Sequence, residues 1–313
     1  GWLANAAAKK RCVPQDSSSR RVTLLPIAHS YARTCDVGTW LISGGHLILG
    51  LGSKDFRLIQ EHAPTHMNLV PKLADQLADL MKTPDPKLTE AIRRMQNLGV
   101  GGATLDQSTY ETWTSRGIAV TAGYGLTESG PVICSATPEN SRPDTVGCLV
   151  DDWEHQIVNG ELWVRGPAMM VGYFKDQTST NQRIVDGWLR TGDEVSFDED
   201  GHFRILGRID QVLVMHDGNK IHPEAAERLI RDANAIHGDL FVDSPDGRRL
   251  RIHVDHHEDL VIPKDLRRYP TEIHQWDPPV HPSERTSKGT IRRDIIKKRY
   301  SQRNEPVVNA NQP

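Results

Sequence analysis

Polar and apolar positions change rhythm along this chain. Residues 14–20, Pro-Gln-Asp-Ser-Ser-Ser-Arg, are a polar loop, and Arg21-Val22-Thr23-Leu24-Leu25-Pro26 reads as a β-branched, apolar strand stopped by proline. His46–Leu51 is a second apolar run. From Asp55 to Thr121 the pattern alternates. It predicts a helix near 55–62, a strand at Met67–Val70, helices near 71–82 and 86–96, a strand at Asn97–Val100, a helix near 106–116 and a strand at Gly117–Thr121. Strands alternating with helices imply βαβ units and a largely parallel sheet.

After Gly125 the texture shifts to short strands broken by Gly, Pro and Asp turns, as in Gly160-Glu161-Leu162-Trp163-Val164-Arg165-Gly166-Pro167, which predicts a β-rich subdomain. The strand Phe203–Leu206 runs into a tight turn, Gly207-Arg208-Ile209-Asp210. A helix with Pro223 at its first position and Glu224 in its first turn comes next. The expected class is α/β. A large domain spans 1–209, with a βαβ region to about 125 and the β-rich part after it. A small α+β domain spans 210–300, with the boundary at Asp210, and the polar stretch 301–313 is expected to be disordered.

At roughly 150 residues per domain, 313 residues fit two domains. Lys and Arg number 38 against 41 Asp and Glu, a net charge of −3, and the mean hydropathy is −0.52. That balance argues against a nucleic-acid partner and against a membrane span, while remaining compatible with peripheral membrane contact. Cys12, Cys35, Cys134 and Cys148 lie too far apart for a Cys-x-x-Cys pair, and nothing resembles a secretory signal, so a reducing cytoplasm is the expected location. The opening, Gly-Trp-Leu-Ala-Asn-Ala-Ala-Ala, has no initiating Met and reads as the continuation of something longer.

The most informative segment is Gly123-Tyr124-Gly125-Leu126-Thr127-Glu128-Ser129, after the strand ending near Thr121. Glycines at the carboxyl edge of a parallel sheet let backbone approach a ligand, although an ordinary βα loop would carry them too. Tyr124 can stack on a base, Thr127 can donate to a phosphate oxygen, and Glu128 can hold a hard divalent cation. Gly101-Gly102-Ala103 ends the previous strand, and Gly187-Trp188-Leu189-Arg190-Thr191-Gly192-Asp193 lies downstream. A carboxylate such as Asp193 can accept from both ribose hydroxyls, and Arg208 supplies a permanently charged fork. Singly, Asp193 could be a turn carboxylate and Arg208 a surface ion-pair member.

Five ordered motifs resemble the adenylate-forming acyl-CoA synthetases: Tyr124–Ser129, Gly160–Tyr173, Gly187–Asp193, Gly207–Asp210 and Gly218–Glu227. The segment Leu25-Pro26-Ile27-Ala28-His29-Ser30-Tyr31-Ala32-Arg33 further resembles the long-chain fatty acyl branch. The resemblance implies an ATP-dependent ligase that forms an acyl-adenylate from a fatty acid and then an acyl-CoA thioester, with ATP, Mg²⁺ and CoA as co-substrates. It implies that Gly102 and Ala103 border the adenine, Tyr124 stacks on it with Gly125 beside it, Thr127 contacts phosphate and Glu128 binds Mg²⁺. Asp193 and Arg208 would hold the ribose, and Asp210 would be the hinge of a mobile small domain.

Three departures accompany the resemblance. The family's Gly-rich phosphate-binding loop is absent, and the first residues resemble the helix that follows it, so the chain is expected to be an incomplete portion that does not adenylate alone. The C-terminal domain is shorter than the family usually shows. The late lysine motif appears as Thr286-Ser287-Lys288-Gly289-Thr290-Ile291-Arg292-Arg293, with Thr290 in the lysine register and Lys288, the favoured working lysine, two residues earlier. Two other readings stay open: an enzyme that loads a carrier protein, and a non-catalytic nucleotide- or acyl-binding remnant.

Elsewhere, His253-Val254-Asp255-His256-His257-Glu258-Asp259 matches no metal-ligand spacing and reads as a polar strand end. His29 could shape an acyl entrance or be a loop histidine satisfied by backbone. The run Arg292–Arg299 reads as a solvated helical face, with contact to CoA phosphates the alternative.

Overall fold

The structure, a computed structural model, describes residues 1–102, 107–234, 236, 240–254, 260–275, 292–293, 295–296 and 308–309. The chain divides into two compact units, Gly1–Ile205 and Leu206–Pro313, the division falling ahead of Asp210.

The first unit is built on a seven-stranded sheet in the order β2-β1-β3-β4-β5-β6-β7. Its strands are β1 (Arg20–Thr23), β2 (His46–Leu49), β3 (His66–Leu69), β4 (Asn97–Gly101), β5 (Ala119–Gly125), β6 (Val132–Ser135) and β7 (Cys148–Leu149). Pairing is parallel from β2 through β5, and antiparallel from β5 to β6 and from β6 to β7. The parallel part is the βαβ alternation expected from sequence. Its helices are α4 (Arg57–His62), α5 (Pro71–Leu80), α6 (Pro86–Arg93) and α7 (Gln107–Thr114). Proline opens both α5 and α6, where a missing N–H costs nothing. Asp85 caps α6, its carboxylate accepting from Lys87 N at 2.9 Å and Leu88 N at 3.1 Å. The buried side chains of Met67, Leu98 and Val120 on the strands meet Ile59, Leu77 and Trp113 on the helices. Full burial of each is worth about 1.5–3 kcal/mol.

Helix α1 (Trp2–Cys12) docks on β6 through polar contacts. Asn5 Nδ2 donates to Val132 O at 2.8 Å, Asn5 Oδ1 accepts from Val132 N at 2.9 Å, and the buried Lys9 Nζ donates to Ser135 Oγ at 2.8 Å. After β1, α2 (Ser30–Ala32) runs into a π-helical turn, Arg33–Gly38, and then α3 (Thr39–Ser43). Asp36 in that turn is fully buried. It accepts from Arg21 Nη1 at 2.7 Å, Thr23 Oγ1 at 2.5 Å and Asn68 Nδ2 at 2.7 Å, so one carboxylate ties β1, β3 and the turn together.

The β-rich expectation after Gly125 is met by an antiparallel sheet in the order β10-β11-β9-β8, formed by β8 (Glu154–Val158), β9 (Glu161–Arg165), β10 (Ile184–Val185) and β11 (Trp188–Phe197). Between β9 and β10 lies α8 (Gln177–Arg183). In β12 (Phe203–Arg208) the chain passes from the first unit to the second.

The second unit holds the pair β13 (Leu213–Val214) and β14 (Lys220–Ile221), helix α9 (Pro223–Asn234), and a sheet in the order β15-β16-β17-β18. These last strands are β15 (Leu240–Asp243), β16 (Leu250–Val254), β17 (Thr271–Gln275) and β18 (Val308–Asn309). Two expectations are corrected here, one of them only in part. Arg293 is not on a solvated face: its Nη2 donates to Glu227 Oε2 at 2.6 Å, while Glu227 Oε1 accepts from Val242 N at 2.8 Å. Val308 and Asn309 pair with Ile273 and Glu272; the rest of 301–313 lies outside the described residues. His253 lies next to the last residue of β16, at the expected strand end, but is buried there, its ring 5.2 Å from that of His274; Asp255–Asp259 lie outside the described residues. Among the described residues there is no group of three or more His, Cys, Asp or Glu that could hold a metal ion.

Candidate functional site

The glycine-rich heptad begins as strand. β5 continues through Gly125 because it is paired on both sides, Gly123 standing opposite Gly101 of β4 and Ser135 of β6. A β-carbon at Gly125 would fall 1.5 Å from the carbonyl oxygen of Pro131, so the return of the chain's own backbone requires glycine there. Thr127–Ser129 then form a 3-10 turn, closed by Ser129 Oγ, which accepts from Leu126 N at 2.9 Å and donates to Pro131 O at 2.6 Å.

Tyr124 and Asp193 meet. The Tyr124 hydroxyl donates to Asp193 Oδ2 at 2.5 Å. Burial first, and then the charge of Asp193, hold the phenol well above its usual range, so it remains a donor. Asp193 is buried inside β11 rather than in a turn, and its backbone N donates to Thr191 Oγ1 at 3.1 Å. Glu161 of β9 supports the neighbouring backbone, accepting from Gly192 N at 2.8 Å and from Arg190 Nε and Nη2 at 3.1 Å.

Thr127 and Glu128 adjoin each other on the 3-10 turn. Ser30 Oγ lies 3.3 Å from Thr127 Oγ1, which brings the His29–Ser30 segment to the heptad. Glu128 Oε1 accepts from the Tyr173 hydroxyl at 2.7 Å. Gly102 follows directly on β4 and is exposed, whereas its partner in the adenine expectation, Ala103, lies outside the described residues. Backbone bonds flank His29, whose N donates to Pro26 O at 2.9 Å and whose O accepts from Arg33 N at 2.9 Å. Ser30 and Tyr173 carried no assignment from sequence, although both sat inside motifs, Leu25–Arg33 and Gly160–Tyr173.

Arg208 and Asp210 belong to the second unit. They pair with each other, Arg208 Nε lying 3.2 Å from Asp210 Oδ1, and Asp210 is exposed in a 3-10 turn, Ile209–Gln211. Lys288 and Thr290 lie outside the described residues.

A family described as AMP-binding enzyme matches residues 1–174. The chain belongs to the AMP-binding enzyme family. Gly102, Tyr124, Gly125, Thr127 and Glu128 fall within that match, and Asp193, Arg208, Asp210 and Lys288 beyond it. Among relatives, a probable CoA ligase of Humulus lupulus is 28% identical over 253 residues, 74% of this chain and 45% of the relative. A long-chain-fatty-acid–CoA ligase of Yersinia pestis is 27% identical over 276 residues, 80% and 48%. The chain thus spans about half the length of the curated relatives it matches. The O-succinylbenzoate coenzyme A synthetase of Bacillus subtilis, solved with ATP and magnesium ion, shares the fold with a TM-score of 0.75. It is 20% identical, over 93% of this chain and 64% of that one. No helix among the described residues is long and apolar enough to cross a membrane.

Proposed function

We propose that this AMP-binding family chain serves an acid–thiol ligase reaction with ATP and CoA as co-substrates. A substrate carboxylate oxygen bonds to the α-phosphorus as pyrophosphate leaves. The CoA thiolate then bonds to the acyl carbon, and AMP departs with the electrons of the C–O bond. The reading is carried by the convergence of Tyr124 and Asp193 at the carboxyl edge of the parallel sheet, where open α/β sheets bind ligands.

In this reading Tyr124 lies against the adenine, with Gly102, Ala103 and Gly125 along its edge, and the Asp193 carboxylate accepts from ribose. Arg208 adds a cation toward ribose, Thr127 meets phosphate, and Asp210 is the pivot of the small domain. Lys288 brings positive charge to the α-phosphate and the attacking carboxylate. One carboxylate beside one hydroxyl, Glu128 and Thr127, suits Mg²⁺, which binds through one or two carboxylates together with substrate phosphates. When bound, Mg²⁺ would neutralise charge on the phosphate oxygens. A fatty acid is the proposed carboxylate, on the strength of Leu25–Arg33 and the Yersinia relative. The cytoplasm is the proposed compartment.

Calorimetry with AMP and with non-hydrolysable acyl-adenylate analogues tests the site directly. Fatty acyl analogues should bind more tightly than AMP, and analogues bearing short or aromatic acids should bind less tightly than fatty acyl ones. Failure of AMP and of every analogue to bind would overturn the reading. In the full-length parent, ATP–pyrophosphate exchange, run with and without CoA, separates CoA from a carrier protein as acceptor.

A further inference from the structure

We propose that Tyr173 is a positioning residue for Glu128, holding its carboxylate in the orientation in which it meets the cation of a bound nucleotide. The inference rests on the site reading above and adds a residue to it.

The segment after β9 doubles back over the Thr127–Ser129 turn and grips Glu128 at two points. Met170 N donates to the Glu128 carbonyl oxygen at 2.7 Å, and the Tyr173 hydroxyl donates to Glu128 Oε1 at 2.7 Å. Main chain and side chain of one residue are therefore fixed by residues three apart.

Tyr173 is itself held in place. Its N–H donates to Thr180 Oγ1 at 2.8 Å, and that hydroxyl donates to Asp176 O at 2.8 Å at the start of α8. Asp176 caps α8, its carboxylate accepting from Ser179 N at 2.9 Å. Gly172, at φ +152°, lets the chain turn tightly enough for this. A β-carbon there would lie 2.9 Å from Thr180 Cγ2. The main chain that carries the phenol is thus anchored to a capped helix, not to a free loop.

A carboxylate on a short turn has several rotamers and must give up that freedom to bind a cation. A hydrogen bond to Oε1 removes most of it beforehand and leaves Oε2 for the metal. Partners of this kind, one step behind the metal, typically change affinity 10- to 100-fold when removed.

The test is Tyr173→Phe in the full chain. It keeps the ring and deletes only the donor, and the residue is partly exposed, so folding should survive; thermal unfolding checks this. The probe is Mn²⁺ with ATP, read by the electron paramagnetic resonance of protein-bound Mn²⁺, alongside AMP affinity measured without metal. Tyr173→Phe should weaken protein-bound Mn²⁺ by about 10- to 100-fold and leave AMP affinity unchanged. Glu128→Gln is the reference. If Glu128→Gln weakens Mn²⁺ while Tyr173→Phe leaves it equal or tighter, Tyr173 does not position the carboxylate. Proportionate loss of Mn²⁺ and AMP in Tyr173→Phe assigns it a purely structural role and overturns the inference. If wild type shows no bound Mn²⁺, or Glu128→Gln binds it normally, the metal-site reading falls and takes the inference with it.

Discussion

The hydroxyl of Tyr124 lies 2.5 Å from Oδ2 of Asp193, across 69 residues of sequence, and joins the end of the parallel sheet to the antiparallel one. The bond is a neutral donor meeting a buried carboxylate. Removing either partner therefore has two separable consequences, one for ligand binding and one for stability.

Asp193→Ala should weaken AMP binding by about 1–3 kcal/mol, roughly 5- to 150-fold, because a charged acceptor for ribose is gone. It should also lower stability by about 1–3 kcal/mol, since the buried Tyr124 hydroxyl loses its carboxylate acceptor. Adding Tyr124→Phe should recover stability without recovering AMP affinity. Urea denaturation and calorimetry on the three variants check this. If stability and affinity return together, the two effects are one.

The heptad stood out in sequence because glycines, an aromatic, a hydroxyl and a carboxylate follow a parallel strand, and Tyr124, Thr127 and Glu128 could be named as candidates from it. The βαβ order was legible because buried parallel strands and amphipathic helices have different periods, as Met67–Val70 against residues 71–82 shows. What could not be read was pairing across distance. The strand containing Tyr124 extends to Gly125 only because β6 returns to pair with it, and no local pattern encodes that return. Arg293 sits in a run of charge that reads as surface, yet Glu227, 66 residues away, makes it an interior cation. Asp36 gave no signal at all, because a single carboxylate in Arg33–Gly38 looks like any turn residue.

Asp36 leads to a second prediction. Its carboxyl is raised above the usual range by burial, against the opposing pull of Arg21, Thr23 and Asn68. Removing one partner of a buried pair leaves the other charge uncompensated, so Asp36→Ala should cost about 3–5 kcal/mol. Replacing Arg21 and Asp36 together by apolar residues of similar size should cost less than Asp36→Ala alone. Urea midpoints of the variants decide it. A loss within about 1 kcal/mol for Asp36→Ala would show that the network contributes little to the fold.

The proposed pivot gives a third. Proline fixes φ near −65°, so Asp210→Pro should block rotation about that residue. In the full-length parent of which this chain is expected to be a portion, one half-reaction should fail while the other survives, adenylation followed by ATP–pyrophosphate exchange and thioester formation by CoA capture of supplied acyl-adenylate. Asp210→Ala removes only the exposed pair with Arg208, worth about 0–1 kcal/mol, and should leave both rates nearly unchanged. Equal loss of both half-reactions in Asp210→Pro would mean the pivot lies elsewhere.

His66 sets a pH dependence. It is buried in β3, with its Nδ1 2.8 Å from Thr65 Oγ1. Burial first, and then the nearby Arg21 cation, push its pKa down to about 4 from 6.5. Above pH 6.5 the histidine is neutral in both folded and unfolded chains and takes nothing from stability. As pH falls from 6.5 toward 4, the unfolded chain binds a proton that the folded chain refuses, so stability declines with falling pH. Below 4 the loss levels off at about 3 kcal/mol. His66→Leu removes the group, and the difference in unfolding free energy between variant and wild type should shift by about that amount between pH 7 and 4 in favour of the variant. Denaturant titrations at several pH values give the two curves. Parallel curves over that range would mean that His66 takes up its proton in the folded protein as readily as in the unfolded chain.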